Sequence, residues 1–558
     1  MSTSTLRSLE RIHRQYGDGV AARKAGLLDR LAGERLPSAA AVHRLHEVLC
    51  FLHAYPDDAA VLAHVERMLG DFERRPDLRR HAEALQDSGI AGTPTIYRFF
   101  FETAQWLATR WPERLTVRWP DLEAPERLER ALSLLVTPAE QAGLDEIAFP
   151  LKEWVRRLKG EAEADGAFLV RRFAALAADP FIRQYLYETL GFWLRLEAGP
   201  DTPSRTRAKL PRRAVHWQRG PVTGPRPDLH AELKRPPLAV RTVSRRQAER
   251  LLDMAREAMV TRGRDLDAFA YGSPDDVRMV DCGDGLEFVA IGQVPERRLL
   301  CEAVYGFLTL KNGVPIGYVL NSALYGSAEI AYNVFDTYRG AEAAPVYARV
   351  LAMVHDLFGA DTFTIYPYQL GHENDEALES GAWWFYQKLG FRARDPEVLA
   401  LMDRELERMR HRPGHRSSIE TLRRLSTVNV YLQTGRQRED VIGIVPLPNV
   451  GLAVTEYVSA RFGADREAAA RACSSDAMRR LGLRSLGGFS AGERMAWEWW
   501  APVVCCLSGV ERWSAANKRA AVAVIRAKGG RRESDFVRRF DAHGPLRRAV
   551  RRLAERME

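Results

Sequence analysis

Apolar residues recur at spacings of three and four along most of the first 197 residues, and again beyond residue 395. Within 38–69, Val42, Leu45, Val48, Leu49 and Leu52 fall on one helical face, interrupted at Tyr55-Pro56. Further helices are predicted over 95–110, 126–135, 149–158, 166–178 and 181–196. With no strand pattern between them, 1–197 reads as an all-helical domain. From 198 to 240 the periodicity disappears. Pro203, Pro211, Pro221, Pro225, Pro227, Pro236 and Pro237 stand among Arg, Lys and Gly, which predicts an extended, solvated linker.

The period changes between 241 and 395. Ser244 and Gln247 resemble a capping box, opening a helix whose apolar face is Ala248, Leu251, Leu252, Ala255 and Met259. Strands are predicted over 286–291, 302–310, 315–320, 327–335 and 362–366, with helices over 344–358 and 375–389. Lys311-Asn312-Gly313 separates two β-rich runs, and Asn-Gly there is a hairpin signal. The order α–β–β–β–β–α–β–α predicts an α+β domain with a mixed sheet and a βαβ crossover. Helical spacing then returns over 396–410, 417–426, 454–462, 466–481, 491–507, 515–528 and 547–557, so 396–558 reads as a second all-helical domain. The whole is a multidomain chain with all-α units flanking an α+β centre.

Composition narrows the class. A chain of 558 residues, 46% hydrophobic and 28% charged, is ordinary for a soluble multidomain protein. No apolar run is long enough to span a membrane, and the first 14 residues lack the apolar core of a secretion signal. Cys50, Cys282, Cys301, Cys473, Cys505 and Cys506 show no C-x-x-C spacing, so free thiols in a reducing, cytoplasmic compartment are expected. The net charge of +9 permits nucleic acid as a partner, with Trp217 in the basic linker, but does not select it over other anions. His43, His46 and His53 share a helical segment without matching carboxylates or thiols, so no metal site is expected. Trp497, Trp499 and Trp500 read as core or domain interface. P-loop and H-E-x-x-H patterns do not occur.

Two motifs carry chemistry. The strand ending Tyr332-Asn333-Val334-Phe335 runs into Asp336-Thr337-Tyr338-Arg339-Gly340, followed by Ala341, Glu342, Ala343 and Ala344 at the head of a helix. Downstream, Asn374 and Ala377 precede Tyr386-Gln387-Lys388-Leu389-Gly390-Phe391. In this order, over 241–395, the pair resembles the GNAT superfamily of acyl-CoA N-acyltransferases. Free N–H groups at a helix N-terminus bind a pyrophosphate, and Gly340 permits close backbone approach.

The resemblance implies acetyl-CoA or another acyl-CoA as cofactor and an amine on a protein, peptide or small molecule as acceptor. It assigns Phe335, Tyr338, Arg339, Gly340, Ala341, Ala343, Ala344 and Asn374 to the cofactor. Glu329 becomes the base, Glu302 its reserve, and Tyr386 the proton donor to the leaving thiolate. Three departures accompany it. Glu342 replaces the second Gly of the turn, where at ~5 Å and an effective dielectric near 20 it would repel a phosphate charge by roughly 3 kcal/mol. The spacing from Asn374 to Tyr386 is long, and the closing hairpin after Phe391 looks shortened or missing. Beside the enzyme therefore stands a second reading, a GNAT-like binding or scaffold module that has lost CoA.

Overall fold

In the computed structural model, which describes all residues except Met1, Arg213, Pro225, Met557 and Glu558 and only the backbone of Ser2 and Thr3, the Asn312-Gly313 turn forms as expected. Lys311 pairs with Val314 across it. Both turn residues take positive φ, 49° and 81°, the requirement that Asn and Gly meet at least cost. The hairpin lies in a nine-stranded mixed sheet. Its strands are β1 (Ala239–Thr242), β2 (Gly272–Gly283), β3 (Leu286–Gln293), β4 (Ala303–Lys311), β5 (Val314–Leu324), β6 (Ser327–Val334), β7 (Thr362–Ile365), β8 (Arg392–Ala393) and β9 (Val430–Gln433). The spatial order is β8-β9-β7-β6-β5-β4-β3-β2-β1. Only β6 and β7 run parallel, joined through one crossover helix.

The helices that matter below are α1 (Ala39–Ala54), α2 (Arg245–Val260), α3 (Ala343–Phe358), α4 (Asp375–Ser380), α5 (Ala382–Lys388), α6 (Ala515–Lys528) and α7 (Glu533–Ala542). α2 lays Leu251, Leu252, Ala255 and Met259 on one sheet face, against Val277, Val289, Leu308 and Tyr318. α3 covers the other face with Val346, Val350 and Val354, over Phe307, Val319 and Ile330.

Four expectations need correction. The region 1–197 is not purely helical: Thr95–Tyr97, Leu194–Leu196 and Leu115–Val117 form a small antiparallel sheet. Strands of three residues are too short to break the helical pattern on either side. Nor is 396–558 all-helical, because β9 is threaded between β7 and β8. The closing pair after Phe391 is short, as expected: β8 has two residues and meets β9 over two positions, with the helices Pro396–His411 and Ile419–Leu425 between them. β2 went unseen because Ser273-Pro274-Asp275-Asp276 reads as a loop; it sits in a register shift between Gly272 and Val277, where proline is tolerated. Finally, 198–240 is not a solvated linker. Leu210 N–H donates to Gly313 O (2.9 Å), Gln218 N–H to Pro56 O (2.8 Å), and Val222 is buried in the core under α2.

Asn312 fastens this segment. Its Oδ1 accepts from His216 N–H (2.9 Å), while Nδ2 donates to Ala54 O (2.9 Å) and His216 O (3.0 Å). Asn312→Ala removes these bonds, leaves buried partners unpaired and places a Cβ-only residue at φ 49°. We expect a loss of about 2–3 kcal/mol in urea unfolding. A change under about 0.5 kcal/mol would show that the segment is not held here.

Candidate functional site

β6 and β7 pair over only three positions, Thr362 with Ser327, Phe363 with Ala328 and Thr364 with Glu329. β7 stops at Ile365 while β6 continues to Val334, so the two strands part immediately beyond Glu329. A cleft of about 350 Å³ opens there, lined by Tyr332, Asn333 and Val334 of β6, the N-terminus of α3, and residues of α4 and α5. Of the residues singled out from the sequence, Arg339, Gly340, Ala343, Asn374 and Tyr386 meet at this cleft.

Tyr386 is on α5, a separate helix because Gly381 takes a left-handed conformation (φ 68°) and divides the expected 375–389 helix in two. Its ring is fixed by Tyr347, Phe385 and Phe391, with centroids 5.2–5.6 Å away. Burial holds its hydroxyl well above the ordinary phenol range, so it stays protonated. Tyr347, whose hydroxyl is buried without a partner, was not found from sequence. It lies one turn along α3 from Ala343, and that spacing was the available signal.

Glu329 and Glu302 are not among the residues that line this cleft; Glu329 is partly buried on β6 where the strands part. Burial first, and then the negative charge of Glu302, push its carboxyl up from 4.5 to about 7. Glu302 thus acts on Glu329 electrostatically, and its main-chain carbonyl accepts from Lys528 Nζ at 2.8 Å. Asn374 supports the local fold: Oδ1 caps α4 at Ala377 N–H (3.2 Å) and Nδ2 donates to Tyr368 O (3.0 Å). Arg339 pairs with Asp336 (2.8 Å) and with Glu376 on α4, which brackets the cleft mouth with a salt link.

The turn itself is more enclosed than a bare phosphate cradle. Phe335, Tyr338 and Ala341 do not line the cleft but sit in the core beside Phe51 and Tyr55 of the α1 segment. Tyr338 donates to Cys50 O at 3.4 Å. Arg14 donates to Arg339 O (2.7 Å) and Thr337 O (3.2 Å). Glu342 adopts φ 42°, the left-handed geometry that explains why glycine suits this position. Its carboxylate is paired with Lys311, whose Nζ, from a side chain 2% exposed, binds it at 2.8 Å. Its N–H is taken by Val222 O (2.8 Å). Ala343 and Ala344 occupy the first turn of α3, where N–H groups have no partner within the helix, and Pro345 has none to offer.

The three histidines are dispersed in their roles. His46 is fully buried and bonded to Thr206 Oγ1 (2.8 Å), while His53 faces Glu66 (3.4 Å). No cluster fit to hold a metal ion occurs among the described residues. No helix among them is long and apolar enough to cross a membrane. Comparison with known protein families, curated proteins and solved structures finds no match for this chain.

Proposed function

We propose that the chain is an acyl-CoA-dependent N-acyltransferase of the GNAT type. One observation carries the reading: the parallel strands part next to Glu329, and the cleft so formed is bordered by Tyr386 and by the α3 N-terminus. The short β8–β9 pair supports the reading, though a long helical insertion separates its strands. The ion pair with Lys311 removes much of the penalty attached to Glu342.

The residues suit the group. The free edge of Tyr332, Asn333 and Val334 offers main-chain partners to an extended arm, and Gly340, Ala343 and Ala344 offer N–H groups to phosphate oxygens. Acyl-CoA, when bound, supplies the activated acyl carbon. Glu329, titrating near 7, is ionised in a useful fraction at neutral pH and takes the proton from the acceptor ammonium. As the C–N bond forms and the C–S bond breaks, the second ammonium proton would leave the nitrogen and replace the one that Tyr386 gives up. Tyr386, held protonated by burial, donates to the departing sulfur.

A second reading, a binding or scaffold module without CoA, is favoured by the N–H of Glu342 being occupied by Val222 and by Arg14 holding the turn. Calorimetry separates the two. The enzyme reading expects acetyl-CoA or a longer acyl-CoA to bind at micromolar concentration, and Ala343→Trp, which fills the cleft mouth, to weaken it at least about tenfold. Absence of binding across the chain-length series would overturn acyl transfer in favour of the scaffold.

A further inference from the structure

A second, larger cleft of about 840 Å³ lies between Leu210, Pro211, Arg212 and Ala214, the edge strand β1 and the first turns of α2. Arg212, Arg241, Arg246 and Arg250 line it, against the carboxylates of Asp281 and Glu287. Arg212 and Arg241 share Glu287, each 3.5 Å from a different carboxylate oxygen. Arg246 and Arg250 stand one turn apart on α2, and among the described residues neither guanidinium has an ion pair or hydrogen bond. Two like charges at that spacing repel each other. The concave wall thus carries positive charge that the protein does not neutralise. Beneath it, Leu251 and Met279 are buried and give the cleft an apolar floor.

We propose that this cleft binds a small phosphoanhydride ligand of the nucleoside di- or triphosphate class. The lining restricts the choice. Unpaired guanidiniums select phosphate or carboxylate oxygens in bidentate geometry. More than one uncompensated cation in one concavity favours a polyvalent anion over a single carboxylate. The volume lies within the range of small-molecule sites, larger than free phosphate needs. The apolar floor accommodates the uncharged part of the ligand. A single-stranded nucleic acid fits less well, because among the described residues no aromatic side chain lines the cleft for bases to stack on. The site is independent of the acyl-CoA reading, since no residue lines both clefts.

The test is calorimetric titration of the full chain with ATP and with inorganic pyrophosphate at ~0.1 M salt. Three variants accompany it: Arg246→Ala/Arg250→Ala, Arg246→Lys/Arg250→Lys, and Arg339→Ala as a control in the other cleft. The substituted arginines of α2 are exposed, and circular dichroism verifies folding. We expect ATP to bind the wild type, even with saturating CoA, and Arg339→Ala equally well. The double alanine variant should weaken binding by about tenfold to a hundredfold, with partial recovery in the lysine variant. No ATP binding at millimolar concentration, or full retention by the double alanine variant, overturns the proposal. So does loss in Arg339→Ala or with CoA, which assigns the nucleotide to the first cleft. Tighter binding of an oligonucleotide that ATP does not displace replaces it with a nucleic-acid surface.

Discussion

Glu329→Gln is expected to lower kcat for the proposed amine acylation by about 10²- to 10⁴-fold while making the protein more stable above neutral pH. Both effects follow from one fact, that the carboxyl titrates near 7 and not 4.5. Its raised pKa means that the folded chain binds this proton more tightly than the unfolded chain does. Stability from this group is fully present below about 4.5, declines as pH rises toward 7, and is lost above it. A neutral glutamine escapes the cost of burying the charge, so at pH 8 the variant should gain about 2–3 kcal/mol, and at pH 4 almost nothing. In the wild type, kcat/KM should rise with pH through about 7, and that limb should vanish in the variant. Retention of more than about a tenth of the activity, with the limb intact, would remove Glu329 from the chemistry. Stability measured in parallel separates a lost base from a lost fold.

Lys528→Met should destabilise the chain by about 3–5 kcal/mol, the larger of the structural effects foreseen. Lys528 and Glu533, at the end of α6 and the start of α7, form a 2.6 Å pair with both side chains 0% exposed. Burial pushes the lysine below and the glutamate above their ordinary values, while their mutual attraction and the nearby Arg298 charge draw the glutamate back down and the glutamate draws the lysine back up. Arg298 lies 4.0 Å from Glu533 and donates to Lys528 O and Gly530 O at 2.7 and 2.6 Å. Glu533 N–H in turn donates to Asp276 Oδ2 of β2 (3.0 Å). The pair thus fastens the C-terminal helices to the sheet and holds the main chain at Glu302. Removing the cation alone strands a buried carboxylate. Lys528→Met/Glu533→Leu removes both charges and should recover most of the loss in urea unfolding. A single variant within about 1 kcal/mol of wild type would show that Arg298 suffices as counter-ion.

Residues with strong local signals were legible before the fold was. The Asn312-Gly313 turn, the Ser244 cap and the apolar face of α2, and the α3 helix with its flanking parallel strands all appear where periodicity and turn chemistry put them. The site was legible to the extent that its residues lie in two short motifs: Arg339, Gly340, Ala343, Asn374 and Tyr386 do converge on one cleft. Contacts between distant segments left no comparable mark. Lys311 on Glu342, Val222 on the Glu342 N–H and Arg14 on the Arg339 carbonyl span 31 to 325 positions of sequence, and nothing in a local window announces any of them. Each determines whether the turn is a cradle or is already filled.

The sequence by itself therefore determined many of the helices, the central strands between 286 and 366 and the motif residues, because these depend on side-chain period, caps and turns within a dozen residues. Tertiary structure alone decided where β9 is threaded, how the proline-rich segment is folded onto the sheet, and which groups neutralise Glu342 and perturb Glu329. Short strands and buried ion pairs take their stability from neighbours that only chain folding brings together. Their free energy belongs to the assembled interior, not to any stretch of sequence that could display it.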